Sequence, residues 1–269
     1  MNISQKEYRT LDAVSRSDLW EANKSPLHYK YQAEFGNKKD SKALIFGSLV
    51  HKLVLEADKF DEEFAIAPNV DRRTKAGKEE YDRFLIESEG KMVVTLEDYE
   101  IACAMAKVVQ NHPEASRLLY EGKPQYEQSF TWLDSQSGIN CKIRPDCLNE
   151  LDGQKYIIDY KTTDSCADGH FERSCKKYGY QLQAGMYISG MFEQDFDDYK
   201  FIFIAQEKQE PYAVRIYDCD ESFVDFGIDK MHELLQKIRN CHDSDEWSGY
   251  ERATLTESAL RLQIQCLVT

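Results

Sequence analysis

Two aspartates and one lysine in the middle of the chain have the spacing of a site for phosphodiester hydrolysis. Asp146 follows a proline, and Asp159 and Lys161 form a D-x-K triplet further along the chain. The dipeptide Asp152-Gly153 lies midway between them and predicts a two-residue hairpin turn. In the register that this turn sets, Asp146 and Asp159 face each other at about 5 Å.

Two facing carboxylates predict a bound cation. Like charges at that separation repel each other, so the pair is costly unless a cation lies between them. Lys161 follows Asp159 by two residues and therefore lies on the same face of the strand. Two acids and one lysine on one face can hold a magnesium ion and assist hydrolysis. The alternative interpretation is an exposed strand on which the triplet is only surface charge.

A third carboxylate, that of Glu127, is expected to join this pair. Residues 124–132 alternate between two faces and predict a strand, and the turn-rich segment 134–138 follows it. With the turn centred near residue 136, Glu127 lies opposite residue 145, within about one residue of register error. The alternative is an exposed glutamate on a strand.

The elements around the predicted hairpin indicate a mixed α/β protein. Capping patterns start helices at Ser15, at Ser25-Pro26 and at Thr95. Hydrophobic spacing and turn signals predict further elements: helices over about 42–57, 177–193 and 221–240, a short helix near Ser258, and strands over 64–67, 199–205 and 211–218. This order predicts a mixed central sheet flanked by helices, with the acids at the central hairpin.

No repeat or linker divides the chain, so we expect one nuclease domain over residues 1–269. Within it we expect a mostly helical leader over 10–120, a catalytic sheet core over 121–220, and a C-terminal helix and tail over 221–269.

The charge of the chain is unfavourable for nucleic-acid binding as a whole. Lys and Arg number 34 against 48 Asp and Glu, which gives a net charge of −14. Binding needs only a local basic groove, however. The densest basic cluster, Arg72, Arg73, Lys75 and Lys78, lies in the polar segment 69–80, which lacks periodicity and predicts a loop. This cluster either contacts the duplex backbone or is a solvated loop.

Hydrophobic runs and cysteines exclude other classes. No apolar run approaches 18 residues and the N-terminus has no apolar core, so we expect no membrane association and no secretion. A cytoplasmic protein of a bacterial or phage-infected cell is the expectation. The eight cysteines contain no C-x-x-C pair, which predicts reduced thiols and neither a zinc ribbon nor an iron–sulfur cluster.

With these residues the chain resembles the PD-(D/E)-x-K nucleases. Pro145-Asp146 supplies the first element, and Asp159-Tyr160-Lys161 supplies the second, with Asp where many relatives have Glu. The stretch from Gly47 to His51 resembles the G-x-x-x-H of the RecB-type branch, and Gln183 to Tyr187 resembles its Q-x-x-x-Y.

The resemblance is closest to the RecE-type exonucleases (exonuclease VIII), relatives of lambda exonuclease, over about residues 10–250. It includes the opening serines from Ser15 to Tyr29, the segment 47–56, the basic segment 71–78, Tyr180 with Gln183 and Tyr187, and Asp245-Glu246-Trp247. It implies a restriction-endonuclease-like core and a magnesium-dependent exonuclease that digests linear duplex DNA 5′ to 3′. Such an enzyme leaves 3′ single strands for an annealing recombinase, and a ring-shaped trimer or tetramer is expected.

The resemblance also implies roles for individual residues. Metal ligation is expected from His51, Asp146, Asp159 and the carbonyl of Tyr160, with Glu127 completing the shell. Lys161 orients the attacking water or stabilises charge, because two nearby acids oppose the low pKa that a general base needs. Gln183 positions Lys161 or a phosphate, while Tyr180 and Tyr187 give packing support. Arg144 joins the basic cluster in binding DNA. Manganese is expected to substitute for magnesium and calcium to inhibit.

Three other functions remain open at this stage. The CRISPR-adaptation nucleases share G-x-x-x-H but ligate an iron–sulfur cluster through cysteines, whose spacing this chain lacks. A catalytically idle protein on the nuclease fold could bind DNA ends or mediate recombination, although Asp146, Asp159 and Lys161 are intact. An acidic adaptor between proteins is favoured only by the net charge.

Overall fold

Helices make up most of the first 120 residues. In the computed structural model, which describes residues 1, 3–36, 41–194 and 198–252, eight α-helices, one 3-10 turn and a two-stranded parallel sheet precede residue 121. The elements are α1 (Gln5–Thr10), α2 (Arg16–Lys24), α3 (Pro26–Phe35), α4 (Lys42–Leu55), the 3-10 turn Ala57–Lys59, α5 (Phe60–Glu63), β1 (Phe64–Ile66), α6 (Lys75–Glu87), β2 (Met92–Val94), α7 (Leu96–Asn111) and α8 (Pro113–Tyr120).

The predicted helix starts are confirmed, because the capping side chains satisfy free backbone N–H groups. The Ser15 hydroxyl accepts from the backbone N–H of Asp18, whose carboxylate in turn accepts from the N–H of Ser15. Ser25 caps α3 ahead of Pro26 at its first position, and Thr95 caps α7.

The segment 69–80 differs from the prediction of a loop. Thr74 caps α6, which begins at Lys75, so only the first half of the polar segment is irregular. The sequence did not predict this helix because α6 buries only Gly77, so the apolar periodicity typical of a packed helix is weak.

A five-stranded mixed sheet follows. The remaining elements are β3 (Gln125–Tyr126), β4 (Phe130–Leu133), β5 (Asn140–Ile143), β6 (Cys147–Leu151), β7 (Gln154–Thr163), α9 (His170–Tyr178), α10 (Tyr180–Phe192), β8 (Tyr199–Glu207), β9 (Val214–Asp218) and α11 (Glu221–Ser244). The sheet has the order β3-β6-β7-β8-β9, and only its β7–β8 pair is parallel.

The predicted hairpin and its register are confirmed. Asp152 and Gly153 form the turn between β6 and β7, with φ of 52° and 81°, as a primed turn requires. Cys147 pairs with Ile158 and Leu151 with Gln154. Continued by one residue, this register places Asp146 opposite Asp159.

The single strand predicted over residues 124–132 is wrong. It divides into β3, which pairs with β6, and β4, which pairs with β5 in a separate two-stranded sheet. Glu127 lies at the division in the left-handed region, with a φ of 55°. A non-glycine residue in this region breaks the alternation of a strand, and neither sequence periodicity nor residue type shows it.

The helix predicted over about 177–193 is confirmed as α10, but the polar connection expected before it contains a further helix, α9, and the two helices meet at Gly179. This residue has a φ of 67°, and a Cβ there would lie 2.2 Å from the ring of Trp20. α9 and α10 form the crossover between β7 and β8, as a parallel pair requires. The strand predicted over 211–218 begins only at Val214, and the helix expected near Ser258 lies outside the described residues.

Hydrophobic layers cover both faces of the central sheet. On β7, Ile157 packs into a cluster with residues of α2, α10 and α11, while Ile158 packs into a second cluster with residues of α4, α7 and α8. Adjacent residues of a strand point to opposite faces, so both faces are buried. The predicted mixed sheet flanked by helices is therefore confirmed. No helix in the described part of the chain is long and apolar enough to span a membrane.

Candidate active site

Three side chains from separate elements converge at the start of β6. His51 comes from α4, Glu127 from the left-handed turn between β3 and β4, and Asp146 from the residue before β6. The Nε2 atom of His51 is 3.0 Å from Oδ2 of Asp146, and its Nδ1 is 3.6 Å from Oε1 of Glu127. One potential ligand atom from each residue lies within 4.8 Å of the others.

The backbone fixes the two acids of this group relative to each other. The N–H of Glu127 donates to the carbonyl of Asp146 at 3.1 Å, which extends the β3–β6 register by one residue. The N–H of Tyr160 donates to Oδ2 of Asp146 at 2.8 Å. Asp146 is thereby held between the end of β3 and the interior of β7.

Neighbouring charges set the protonation of this group. Burial opposes ionisation of Asp146, but His51, Lys161 and the Tyr160 N–H together hold the pKa of Asp146 below its usual value. Burial alone would lower the pKa of His51, whereas Asp146 and Glu127 raise it to about 9. Burial raises the pKa of Glu127, with Asp146 adding to it and His51 and Arg144 opposing it.

Asp159 is fully buried beside this group but is held by other residues. Its Oδ1 contacts the ammonium of Lys161, and its Oδ2 accepts a hydrogen bond from the Nε2 of Gln183. Apart from that ionic contact, Oδ1 accepts no hydrogen bond of ordinary geometry. Burial and the charge of Asp146 raise the pKa of Asp159 to about 6.

Lys161 carries the positive charge nearest to Asp159. Burial lowers the pKa of its ammonium, but Asp159 and Asp146 outweigh burial and raise it. The Nζ atom lies 5.3 Å from the centroid of the Tyr180 ring, a distance typical of a cation–π contact. Lys161 is therefore a cation at neutral pH.

The residues present fit a divalent metal ion. Carboxylate oxygens are ligands for magnesium, and an added imidazole suits manganese as well. The buried Oδ1 of Asp159 already faces the ammonium of Lys161, so a metal ion that used this residue would have to share it with that cation. His51, Glu127 and Asp146 are together, whereas Asp159 lies outside this group of three.

The other residues singled out from the sequence have specific contacts. Gln183 contacts Asp159 rather than Lys161. The hydroxyl of Tyr187 donates to the carbonyl of Arg144 at 3.3 Å, and that of Tyr160 donates to Gln206. Both tyrosines are buried, so their side chains support the site from inside the core.

Arg144 was expected to contact DNA, but its side chain points into the protein and pairs with Glu127. Its Nε donates to Oε2 of Glu127 at 2.5 Å, and its Nη1 donates to the carbonyl of Ile3 and to Oγ of Ser129, both at 2.8 Å. Its side chain is 11% exposed. Arg144 therefore orients Glu127, and the adjacent Pro145-Asp146 motif gave no indication of this ion pair.

The basic cluster at the start of α6 is exposed, but its charge is partly offset. Arg73 forms a two-bonded ion pair with Asp71, and Lys75 lies 3.8 Å from Glu79. The guanidinium of Arg72 lies 4.2 Å from the ring centroid of Tyr81. Two of the four cations, Arg73 and Lys75, thus form ion pairs with carboxylates of the same segment.

A cation that sequence reasoning missed also lies near Asp159. Arg16 opens α2, and its Nη2 donates to the carbonyl of Tyr178. Arg16 lies between Ser15 and Ser17 of the opening motif. The motif predicted a helix cap, and nothing in it indicated a role for the guanidinium.

Comparison with known proteins places this geometry in a family. The model of a family described as "PDDEXK-like domain of unknown function (DUF3799)" matches residues 15–258. No curated protein matches the chain. A crystal structure of a presumed exonuclease from Eubacterium rectale is similar, with a TM-score of 0.62 and 14% sequence identity over 97% of this chain and 98% of the other. At that identity the likeness shows the fold alone.

A crystal structure of a phage-related exonuclease from Haemophilus somnus 129PT is also similar. It has a TM-score of 0.34 and 17% identity over 89% of this chain and 99% of the other.

Proposed function

Because the chain belongs to the family of PDDEXK-like domains, we propose that it is a metal-dependent exodeoxyribonuclease that degrades linear duplex DNA. One observation carries the proposal. His51, Glu127 and Asp146 converge at one edge of the sheet, beside the buried Asp159–Lys161 pair. A nuclease of this superfamily needs such a grouping of acids around a divalent ion, with a cation beside it.

The residues that would hold magnesium are His51, Glu127 and Asp146, with Asp159 and the Tyr160 carbonyl adjacent. Bound there, the ion would stabilise negative charge on the phosphodiester and lower the pKa of water. The chain itself contributes orientation: Arg144 fixes Glu127, the Tyr160 N–H fixes Asp146, and Gln183 fixes Asp159.

Lys161 is proposed to stabilise charge rather than to take a proton. Its raised pKa keeps the ammonium protonated, so it is a poor general base. A protonated amine held by Asp159 can instead orient the attacking water and neutralise charge that develops on the phosphate.

The finer features of the function rest on the resemblance to RecE-type exonucleases. They are digestion from 5′ to 3′, release of 3′ single strands for an annealing recombinase, and a ring-shaped trimer or tetramer around the duplex. Head-to-tail contacts that close would produce such a ring. Light scattering tests the ring directly, since a mass near that of one 31.3 kDa chain would contradict it.

Blocked ends test the direction of digestion. Linear duplexes protected by phosphorothioates at either the 5′ or the 3′ ends, and a closed circle, are incubated with the protein and magnesium. We expect digestion of the 3′-protected duplex and survival of both the 5′-protected duplex and the circle. Cutting of the circle would contradict an exonuclease. Tight binding of ends without any cleavage would favour the catalytically idle alternative.

A further inference from the structure

Arg16 differs from the other cations near the site because no carboxylate is paired with it. Arg144 is paired with Glu127, and Lys161 with Asp159. In the described part of the chain, the Arg16 guanidinium donates to the Tyr178 carbonyl and lies over the ring of Trp20, while its buried Nε makes no hydrogen bond. A buried donor without a partner is costly, so an anionic ligand that supplied one would be favoured.

Arg16 also lies close to the candidate catalytic residues. Its Nη2 donates to the carbonyl of Tyr178, whose ring stacks on that of Tyr180, and the Tyr180 ring centroid lies 5.3 Å from the Nζ of Lys161. The carboxylate of Asp159 also acts on Arg16, because it opposes the lowering of the guanidinium pKa by burial. A phosphate placed at Arg16 would therefore lie beside the Asp159–Lys161 pair.

A row of aromatic rings leads outward from Lys161. The Lys161 ammonium lies over the ring of Tyr180. The rings of Tyr180 and Tyr178 are stacked, with centroids 5.8 Å apart and planes inclined by 28°. Tyr178 is 44% exposed, and its ring centroid lies 5.0 Å from the Nζ of Lys177. An exposed aromatic ring in a positively charged surface is the usual place for stacking an unpaired base.

The break between α9 and α10 fixes Tyr178 relative to Arg16. Gly179 adopts a left-handed conformation with the ring of Trp20 packed against it, in a space that no Cβ could share. Trp20 in turn lies beneath the guanidinium of Arg16, 5.6 Å from its ring centroid. The arginine and the tyrosine are thus held by the same joint and not by a free loop.

We propose that Arg16 and Tyr178 form a subsite for one unpaired nucleotide of the strand being cut, with its base stacked on Tyr178 and its phosphate bound by Arg16. The proposal rests on the nuclease function proposed above. A strand that enters a site for hydrolysis must leave the duplex, and its exposed terminal base then needs a new surface on which to stack.

Fluorescence of 2-aminopurine tests the subsite without cleavage. The probe is a linear duplex with 2-aminopurine at the 5′-terminal position, titrated with the full chain in calcium. Binding of the wild-type protein should change the emission as the base moves onto Tyr178. Tyr178→Ala should lose this change and bind roughly tenfold more weakly, whereas Tyr178→Phe should retain both.

Two further variants complete the test. Tyr31→Ala, an exposed tyrosine on α3, should behave as the wild type. Arg16→Gln should flatten the salt dependence of binding by about 0.7, as expected for one lost phosphate contact on an unpaired strand. Wild-type emission and affinity in Tyr178→Ala would overturn the subsite, and so would the absence of any signal with the unmodified protein.

Cleavage assays separate this failure from failure of the proposed function. If the wild type digests linear DNA with magnesium, and Tyr178→Ala binds DNA as tightly as the wild type does, only the subsite proposal is wrong. If the wild type digests no DNA at all, the nuclease proposal itself is wrong.

Discussion

Each acid of the candidate site has its own cation. Asp146 pairs with His51, Glu127 with Arg144, and Asp159 with Lys161. Facing carboxylates were expected to require a cation between them, and these protein cations already offset much of the repulsion. Sequence spacing predicted the acids and their register. It could not predict the Arg144–Glu127 pair, which depends on a turn conformation at Glu127.

Loss of Arg144 should destabilise the fold. Arg144→Ala leaves the largely buried Glu127 carboxylate without its partner, and breaking such a pair costs about 3 kcal/mol. Denaturant unfolding without metal measures the change. Arg73→Ala is the matched control, because its ion pair with Asp71 is exposed and its loss should leave the unfolding midpoint unchanged. Equal midpoints for Arg144→Ala and the wild type would show that Arg144 does not hold Glu127 in solution.

Metal affinity should increase with pH through His51. In the metal-free protein the pKa of His51 is about 9, against 6.5 for the ordinary group. Protonation therefore stabilises the metal-free fold fully below pH 6.5, and this contribution is lost as the pH rises through about 9. Because a metal must displace that proton, manganese affinity should rise by up to about tenfold per pH unit over this interval.

The control for this pH dependence is His51→Ala, which has no proton to displace there. Manganese titrations of the two proteins between about pH 6.5 and 8.5 make the comparison. Parallel pH dependence in wild type and variant would remove His51 from the ligand set.

At the scale of elements, local signals predicted the structure where backbone conformation follows from residue type. The Asp152-Gly153 turn fixed the β6–β7 register, and serine and threonine caps fixed the starts of α2, α3 and α7. Two features that were not predicted lie at left-handed residues. Glu127 divides the predicted strand, and Gly179 separates α10 from the unpredicted α9. The second depends on the approach of Trp20, which is distant in sequence.

The joint at Gly179 should be sensitive to the smallest added side chain. Gly179→Ala requires a left-handed alanine and also places a methyl group 2.2 Å from the nearest ring atom of Trp20. The clash should lower the free energy of unfolding by about 1–3 kcal/mol beyond the loss caused by the left-handed conformation alone. Gly153→Ala is the matched control, since that glycine is also left-handed but has nothing within 4 Å of the added carbon. Equal losses in thermal unfolding for the two variants would mean that Trp20 does not pack against the joint.

At the scale of the whole molecule, the net charge of −14 requires positive charge to be concentrated where DNA binds. The cluster of Arg72, Arg73, Lys75 and Lys78 was the sequence-based candidate, and its ion pairs with Asp71 and Glu79 could not be predicted from composition. Arg72, which lies over the ring of Tyr81, and Lys78 are the members without a carboxylate partner among the contacts described.

The salt dependence of DNA binding tests this cluster. Each phosphate contact contributes about 0.9 to the slope, so Arg72→Ala combined with Arg73→Ala should flatten it by nearly two if both bind phosphate, and by about one if Asp71 retains Arg73. Titrations in calcium at three salt concentrations measure the slope, and metal affinity serves as the control. An unchanged slope would identify the cluster as a solvated surface.

The central claim is that the acids at the edge of the sheet form a metal-dependent nuclease site. The most direct measurement is degradation of an end-labelled linear duplex by the wild type and by Asp146→Asn, each with magnesium and with EDTA. We predict degradation only by the wild type with magnesium, because the amide removes a ligand charge while retaining the shape of Asp146. Magnesium-dependent degradation by Asp146→Asn at the wild-type rate, or none by the wild type, would contradict the claim.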